Sequence, residues 1–189
     1  MTTLIVATGN PGKVRELQTY LKDLNWQLQP KPDELDIEET EETFAGNACL
    51  KASQTALATG QWAIADDSGL EVAALNGAPG VFSARYGNSD ADRIQRLLTE
   101  LGDTPNRQAQ FVCVIALARP DGTIALQVEG ICPGEIALQP QGTSGFGYDP
   151  IFYVPELGVT FAEMTPEQKR RVSHRGRAIT ALLPQLEAL

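Results

Sequence analysis

The sequence predicts an α/β fold on a mixed β-sheet, and three observations carry that expectation. The apolar, β-branched run TLIVAT at residues 3–8 ends in Gly9-Asn10-Pro11-Gly12 and passes into a helical pattern, giving strand, tight turn, helix. Two strand-like runs, 108–119 and 123–131, meet at Pro120-Asp121-Gly122, which is hairpin chemistry, so the sheet is not purely parallel. The 189 residues are 42% hydrophobic, enough to bury a core, and no repeat, low-complexity stretch or linker divides them. A single domain over residues 1–189, shaped as two lobes, follows.

Asn10 is suited to cap the first helix and Pro11 to open it, after which Val14, Leu17 and Leu21 share one face. A second helix is expected over 43–58, where Ala and Leu dominate and Gly60 supplies a stop. WAIAD at 62–66 reads as a buried strand running into Asp66-Asp67-Ser68-Gly69, a turn-forming cluster at the rim of the sheet. Ser89 caps a third helix whose Ile94, Leu97, Leu98 and Leu101 form one stripe, with Gly102 beyond its end. The last helix docks through Ile179, Leu182, Leu183 and Leu186.

Composition excludes several function classes. A net charge of −9 disfavours gripping long nucleic acid through its phosphates. The N-terminus lacks the basic start and apolar stretch of a signal peptide, and no run approaches the roughly 20 apolar residues of a spanning helix. A cytoplasmic protein with no membrane partner is expected. Three widely spaced cysteines, no CxxC and one His support neither a disulfide framework nor a zinc site.

Five segments carry side chains suited to chemistry, and each admits two readings. TGNPGK, Thr8 to Lys13, sets backbone N–H groups, a helix N-terminus and a lysine together, which favours a polyphosphate; the other reading, which the motif alone favours, is an ordinary strand-to-helix turn with a solvated lysine. Asp66 and Asp67 can bind Mg²⁺ or take a proton from water, or they serve an Asx-type turn. The run Glu38-Glu39-Thr40-Glu41-Glu42 can supply a second oxygen ligand or lie solvated before a helix, and Lys51 reads as a surface lysine in the second helix. GTSGFGYDPIF at 142–152 offers Phe146 or Tyr148 as a stacking surface, or is a glycine-rich loop in which Pro150 biases Asp149 to extended backbone. Lys169-Arg170-Arg171 and Ser173-His174-Arg175 concentrate basic groups in an acidic chain, marking an anion or base-edge site or helix ends aligned with the dipole.

TGNPGK, EETFAGNACLKA, ADDSGLEV, GAPGVFSARYG, GFGYDPIF, FAEM and SHRGRA occur in that order across nearly the whole chain. In this combination the sequence closely resembles the inosine triphosphate pyrophosphatase family, which clears deaminated purine nucleotides. The resemblance implies an elongated, curved mixed β-sheet with flanking helices, two lobes around a nucleotide cleft, Mg²⁺ as cofactor and a homodimer. It makes Thr8, Gly9, Asn10, Pro11, Gly12 and Lys13 the triphosphate loop, Asp67 the catalytic carboxylate, Glu39 and Asp67 the metal ligands, and Lys51 and Ser68 substrate contacts. Phe146, Gly147, Tyr148 and Asp149 line the base pocket on the same grounds, completed by Lys169, His174 and Arg175. The chain departs from the family's usual Thr-Phe-x-Glu-Asn-Ala at Gly46, where a carboxylate is missing.

The expected chemistry is attack of a water, deprotonated with the help of Asp67, on the α-phosphorus of ITP, dITP or XTP, with Mg²⁺ on the phosphates and pyrophosphate leaving. Two rival readings are a relative preferring modified pyrimidine or house-keeping triphosphates, against which the SHR segment argues, and a nucleotide-binding regulatory module without turnover. Glu39, Asp67 and both lysines argue against the second.

Overall fold

A computed structural model describes residues 2–22 and 24–189. In chain order the elements are β1 (Thr2–Val6), α1 (Pro11–Leu21), β2 (Trp26–Pro30), α2 (Phe44–Thr59), β3 (Trp62–Val72), α3 (Asp90–Leu101), β4 (Gln108–Ala118), β5 (Ile124–Ile136), β6 (Phe152–Val154), β7 (Val159–Thr160), α4 (Pro166–Val172) and α5 (His174–Glu187). Strand neighbours run β2-β1-β3-β4-β5-β6-β7. β1 is parallel to both β2 and β3, whereas β6 is antiparallel to β5 and β7, so the sheet is mixed as expected.

The chain forms two compact units, the first comprising Met1–Asp67, Cys113–Glu129 and Ala178–Leu189, the second Ser68–Val112 and Gly130–Arg177. In the first unit, Leu17 and Leu21 of α1 pack with Leu4, Val6, Ile64, Ile115 and Leu117 of the strands and with Ile179, Leu182 and Leu186 of α5. In the second, Ile94, Leu97 and Leu101 of α3 pack with Leu70, Val72, Phe111, Ile136, Phe152 and Phe161. The helical stripes read from sequence are therefore the faces that close each core, with Leu98 and Leu183 only partly buried at their margins.

Helix starts follow local chemistry. Asn10 accepts hydrogen bonds from the Gly12 and Lys13 amides, Thr43 from Gly46 and Ser89 from Asp92, each satisfying a donor the helix itself cannot. Gly60, at φ 64°, ends α2 in the left-handed conformation that glycine adopts without a Cβ clash. The turn between β4 and β5 is closed by the Arg119 amide on the Thr123 carbonyl and by Asp121, which accepts from the Thr123 amide and hydroxyl.

Three sequence expectations are corrected, and one strand was not expected. Asp66-Asp67-Ser68-Gly69 is not a turn at the rim of the sheet; it is the interior of β3, where ion pairing of both carboxylates removes the need for an Asx turn. β5 continues to Ile136 rather than ending at Ile131, its Glu135 and Ile136 pairing with Tyr153 and Phe152. Asp149 is not extended but opens a single 3₁₀ turn, Asp149–Ile151, held by the Ile151 and Phe152 amides on the Tyr148 carbonyl. β2 went unread because WQLQP buries little of itself and is held by register with β1, Thr2 opposite Trp26 through Val6 opposite Pro30.

Leu182 is fully buried in the first core. Leu182→Ala should lower the unfolding free energy by about 2–5 kcal/mol, measured by urea denaturation.

Candidate active site

In the first unit the strand neighbours β2-β1-β3 reverse direction of progress at β1: the chain leaves its carboxyl end for β2 on one side and later returns to β3 on the other. Ligands of open α/β sheets collect at such a point, beyond the carboxyl ends of the strands. Thr8 to Lys13 occupy it. The Asn10 amide donates to the Thr8 hydroxyl at 3.2 Å, and Asn10 Oδ1 accepts from the Gly12 and Lys13 amides at 2.9 and 3.4 Å. Pro11 opens α1, and Gly9 has open space where a Cβ would stand.

Three carboxylates and two ammonium groups meet behind this loop. Lys13 Nζ lies 2.9 Å from Asp66 Oδ2, while Lys51 Nζ lies 2.5 Å from Glu39 Oε1 and 3.7 Å from Asp67 Oδ1. Lys51 is thus no surface lysine, and the acidic run contributes one member, Glu39, to an internal cluster. Burial raises the Asp67 pKa above its ordinary value; Lys51 opposes that, the Glu39 charge adds to it, and Lys13 and a hydrogen bond from Asn47 oppose it. Burial alone would lower the Lys51 pKa, but Asp67, Asp66 and Glu39 outweigh it and hold the ammonium charged.

Among the described residues no group of three or more His, Cys, Asp or Glu side chains is gathered for a metal ion. Glu39 and Asp67 nevertheless suit Mg²⁺: they are hard oxygen donors that converge on one cation, the Lys51 ammonium, in a cluster holding one more carboxylate than ammonium. Mg²⁺ sites in phosphoryl chemistry commonly use one or two protein carboxylates and take the remaining ligands from water and substrate phosphates.

The second unit assembles the other candidate residues. Asp149 is buried and accepts from Lys169 Nζ at 2.7 Å and from the Phe146 amide at 3.1 Å. Lys169 Nζ also sits 4.9 Å from the Phe146 ring centroid, a cation–π contact. Gly145, at φ 80°, is required because a Cβ there would lie 2.0 Å from Asp149 Oδ2. Gly147 donates its amide to Asp90 at 2.8 Å, fixing the loop to the start of α3.

Phe146 keeps 38% of its surface exposed, whereas Tyr148 does not present a stacking face: it is buried, and its hydroxyl donates to the Ser83 carbonyl at 2.7 Å. His174 stacks on Phe111 at 4.6 Å and 11°, and Arg175 Nη2 donates to Ser68 Oγ at 3.1 Å. Both residues lie in the first turn of α5, where the helix dipole disfavours cations, so dipole alignment accounts for Lys169, Arg170 and Arg171 in the last turn of α4 but not for Arg175. Gly176 lets the α4 backbone approach: a Cβ there would lie 1.9 Å from the Arg170 carbonyl oxygen.

The structure therefore brings Lys13, Glu39, Lys51 and Asp67 together in one unit, and Ser68, Phe146, Asp149, Lys169, His174 and Arg175 in the other. Sequence reasoning passed over Asp66 as a partner of Lys13, Asn47 as a partner of Glu41, and Phe111 as the floor beneath His174. Phe111 sits in an apolar strand run and carries no signal beyond core; Asn47, by contrast, is a polar residue on the buried side of a helix, and that signal was available.

Carboxylates paired with two ammonium groups beside a helix N-terminus make the kind of site that handles phosphate groups. The chain matches the Ham1 family over residues 4–185 and belongs to it. It is 68% identical to a dITP/XTP pyrophosphatase of Nostoc sp. (strain PCC 7120) over 186 residues, 98% of this chain and 95% of that protein. It is 60% identical to the dITP/XTP pyrophosphatase of Synechocystis sp. (strain PCC 6803), covering 100% of this chain and 97% of that protein. Among solved structures, a HAM1 protein from Coxiella burnetii superposes with a TM-score of 0.93 at 45% identity, covering 100% of both chains. The Staphylococcus aureus Ham1 protein gives 0.90 at 44% identity over 98% of each.

Burial holds the Tyr148 phenol above its ordinary value of 10.0. A pKa raised by folding contributes stability that is complete below the unfolded value and is lost as pH rises through the folded one. The unfolding midpoint in urea should therefore decline from about pH 10 upward, and Tyr148→Phe should flatten that decline.

Proposed function

We propose that this protein hydrolyses deaminated purine nucleoside triphosphates, dITP, XTP and ITP, to the nucleoside monophosphate and pyrophosphate, and so cleanses the nucleotide pool. The observation that carries the reading is the convergence of Glu39 and Asp67 on Lys51 beside the Lys13–Asp66 pair, in a chain 68% identical to a dITP/XTP pyrophosphatase. The working protein is proposed to be a cytoplasmic homodimer.

Asp67 acts as the base. Burial and the neighbouring Glu39 charge move its pKa up toward the pH at which a carboxylate can accept a water proton. The water oxygen bonds to the α-phosphorus as its proton passes to Asp67, the bond from that phosphorus to the bridging oxygen breaks, and pyrophosphate departs with the electron pair. Lys13 and Lys51 supply fixed positive charge, and the amides of residues 8–13 add dipoles; such preorganised charge usually does most to lower the barrier to transfer at phosphorus. Mg²⁺, when held by Glu39 and Asp67, would add Lewis-acid neutralisation of the phosphate oxygens.

Base selection falls to the second unit. Lys169 is oriented by Asp149, and His174 and Arg175 are held by Phe111 and Ser68, so each offers its donors from a fixed position. Hypoxanthine and xanthine carry a 6-oxo acceptor where adenine carries an amino donor. A donor facing that amino group is left unpaired at a cost of about 1–3 kcal/mol.

Turnover of dITP, XTP, ITP, ATP and GTP should be followed with and without Mg²⁺, resolving pyrophosphate from orthophosphate. Pyrophosphate release favouring the deaminated nucleotides, reduced about 10²–10⁴-fold in Asp67→Asn, is expected. Orthophosphate as product, equal use of ATP, or full activity in the variant would overturn the assignment.

A further inference from the structure

α2 directs two side chains, one helical turn apart, at the acidic segment: Lys51 at Glu39 and Asn47 at Glu41. Lys51 joins Glu39 to Asp67 through charge. Asn47, 1% exposed, stands four residues earlier on the same helix face. Its Oδ1 accepts the Glu41 amide at 3.0 Å and its Nδ2 donates to the Glu41 carbonyl at 3.2 Å, so one side-chain amide satisfies both polar groups of one residue.

Residues 31–43 contain neither helix nor strand, so no backbone ladder fixes where Glu39 stands. We infer that Asn47 is a positioning residue: through Glu41 it ties the acidic segment, two residues from Glu39, to α2 one turn before Lys51, and thereby sets where Glu39 stands relative to Asp67, the second proposed metal-binding carboxylate. The inference rests on the reading of the site given above. Only an amide of this length fits the position. Aspartate accepts but cannot donate and would add charge beside Asp67, and glutamine is one methylene too long for the cyclic pair of bonds with Glu41. Gly46 belongs to the same arrangement. A Cβ there would lie 2.7 Å from Glu41 Cβ, so the bare backbone at 46 leaves Glu41 room to come within reach of Asn47.

The test is a double-mutant cycle of Asn47→Ala and Glu39→Gln, with ITP turnover measured against Mg²⁺ concentration and folding checked by thermal unfolding. Asn47→Ala should lower kcat/KM about 10–100-fold and raise the Mg²⁺ requirement. Added to Glu39→Gln it should cost little more, because it acts through the residue already removed. Activity near that of the parent, or losses that multiply in the double variant, would overturn the inference. Should Asn47→Ala not fold, Asn47→Ser, uncharged, polar and unable to make both bonds with Glu41, takes its place in the cycle. Hydrogen exchange at the Glu41 amide reads the tether independently of turnover: it should accelerate in Asn47→Ala and stay slow in Glu39→Gln, and unchanged exchange refutes the tether. A parent protein inert toward ITP would sink the functional reading while leaving that exchange result to decide this one.

Discussion

Two adjacent carboxylates in the middle of a β-strand are an unusual expense for a fold. Asp66 and Asp67 stand in β3 with almost no solvent contact, where an isolated ionised carboxylate would neutralise itself rather than persist. They persist because each is answered from a different helix, Asp66 by Lys13 of α1 and Asp67 by Lys51 of α2. Much of the first unit can be understood as the means of delivering those two lysines. The Asn10 cap and Pro11 start α1 so that Lys13 falls in its first turn, and Thr43 and Gly60 bracket α2 so that Lys51 lies on its buried side. Removing either lysine would leave a buried charge uncompensated, which costs more than the pair contributes when intact. Stability and chemistry therefore draw on the same contacts.

The second unit uses a different strategy for its polar groups. Rather than offsetting charge with charge throughout, it fixes donors against flat apolar surfaces: His174 on Phe111, Lys169 over Phe146 and Phe161. Phe111, Phe161 and His174 lie nearly parallel in a stack, with Phe152 meeting Phe111 edge-on, so a residue suited to hydrogen bonding has one face held by packing. Rings lose little freedom when ordered, and a donor presented from such a wall meets a ligand without first having to be immobilised.

Where local chemistry decides structure, the sequence was readable. α1, α2 and α3 begin at their capping residues, the turn at 120–122 forms, and the helical stripes face their cores. Where pairing decides, it was not. β2 is held by register with β1 rather than by its own burial, and Asp66-Asp67-Ser68-Gly69 has turn propensity that ion pairing and strand neighbours override. The candidate site divides the same way. Residues in ordered motifs were found as types, but which of the acids meets which lysine depends on contacts between residues far apart in sequence, 12 for Glu39 with Lys51 and 20 for Asp149 with Lys169. Tyr148 and Phe146 look interchangeable as letters; only burial separates the one that supports the loop from the one that stays open.

Gly176 carries a consequence at the level of the gene. Every missense change at its codon, whatever the chemistry of the new side chain, adds a carbon that would lie 1.9 Å from the Arg170 carbonyl oxygen, inside any permissible contact. Position 176 should thus tolerate no allele but the glycine, even though the residue touches no reacting atom. A variant there, found in a population or a mutational scan, would be read as a failure of the joint between α4 and α5 before any question of nucleotide chemistry arose.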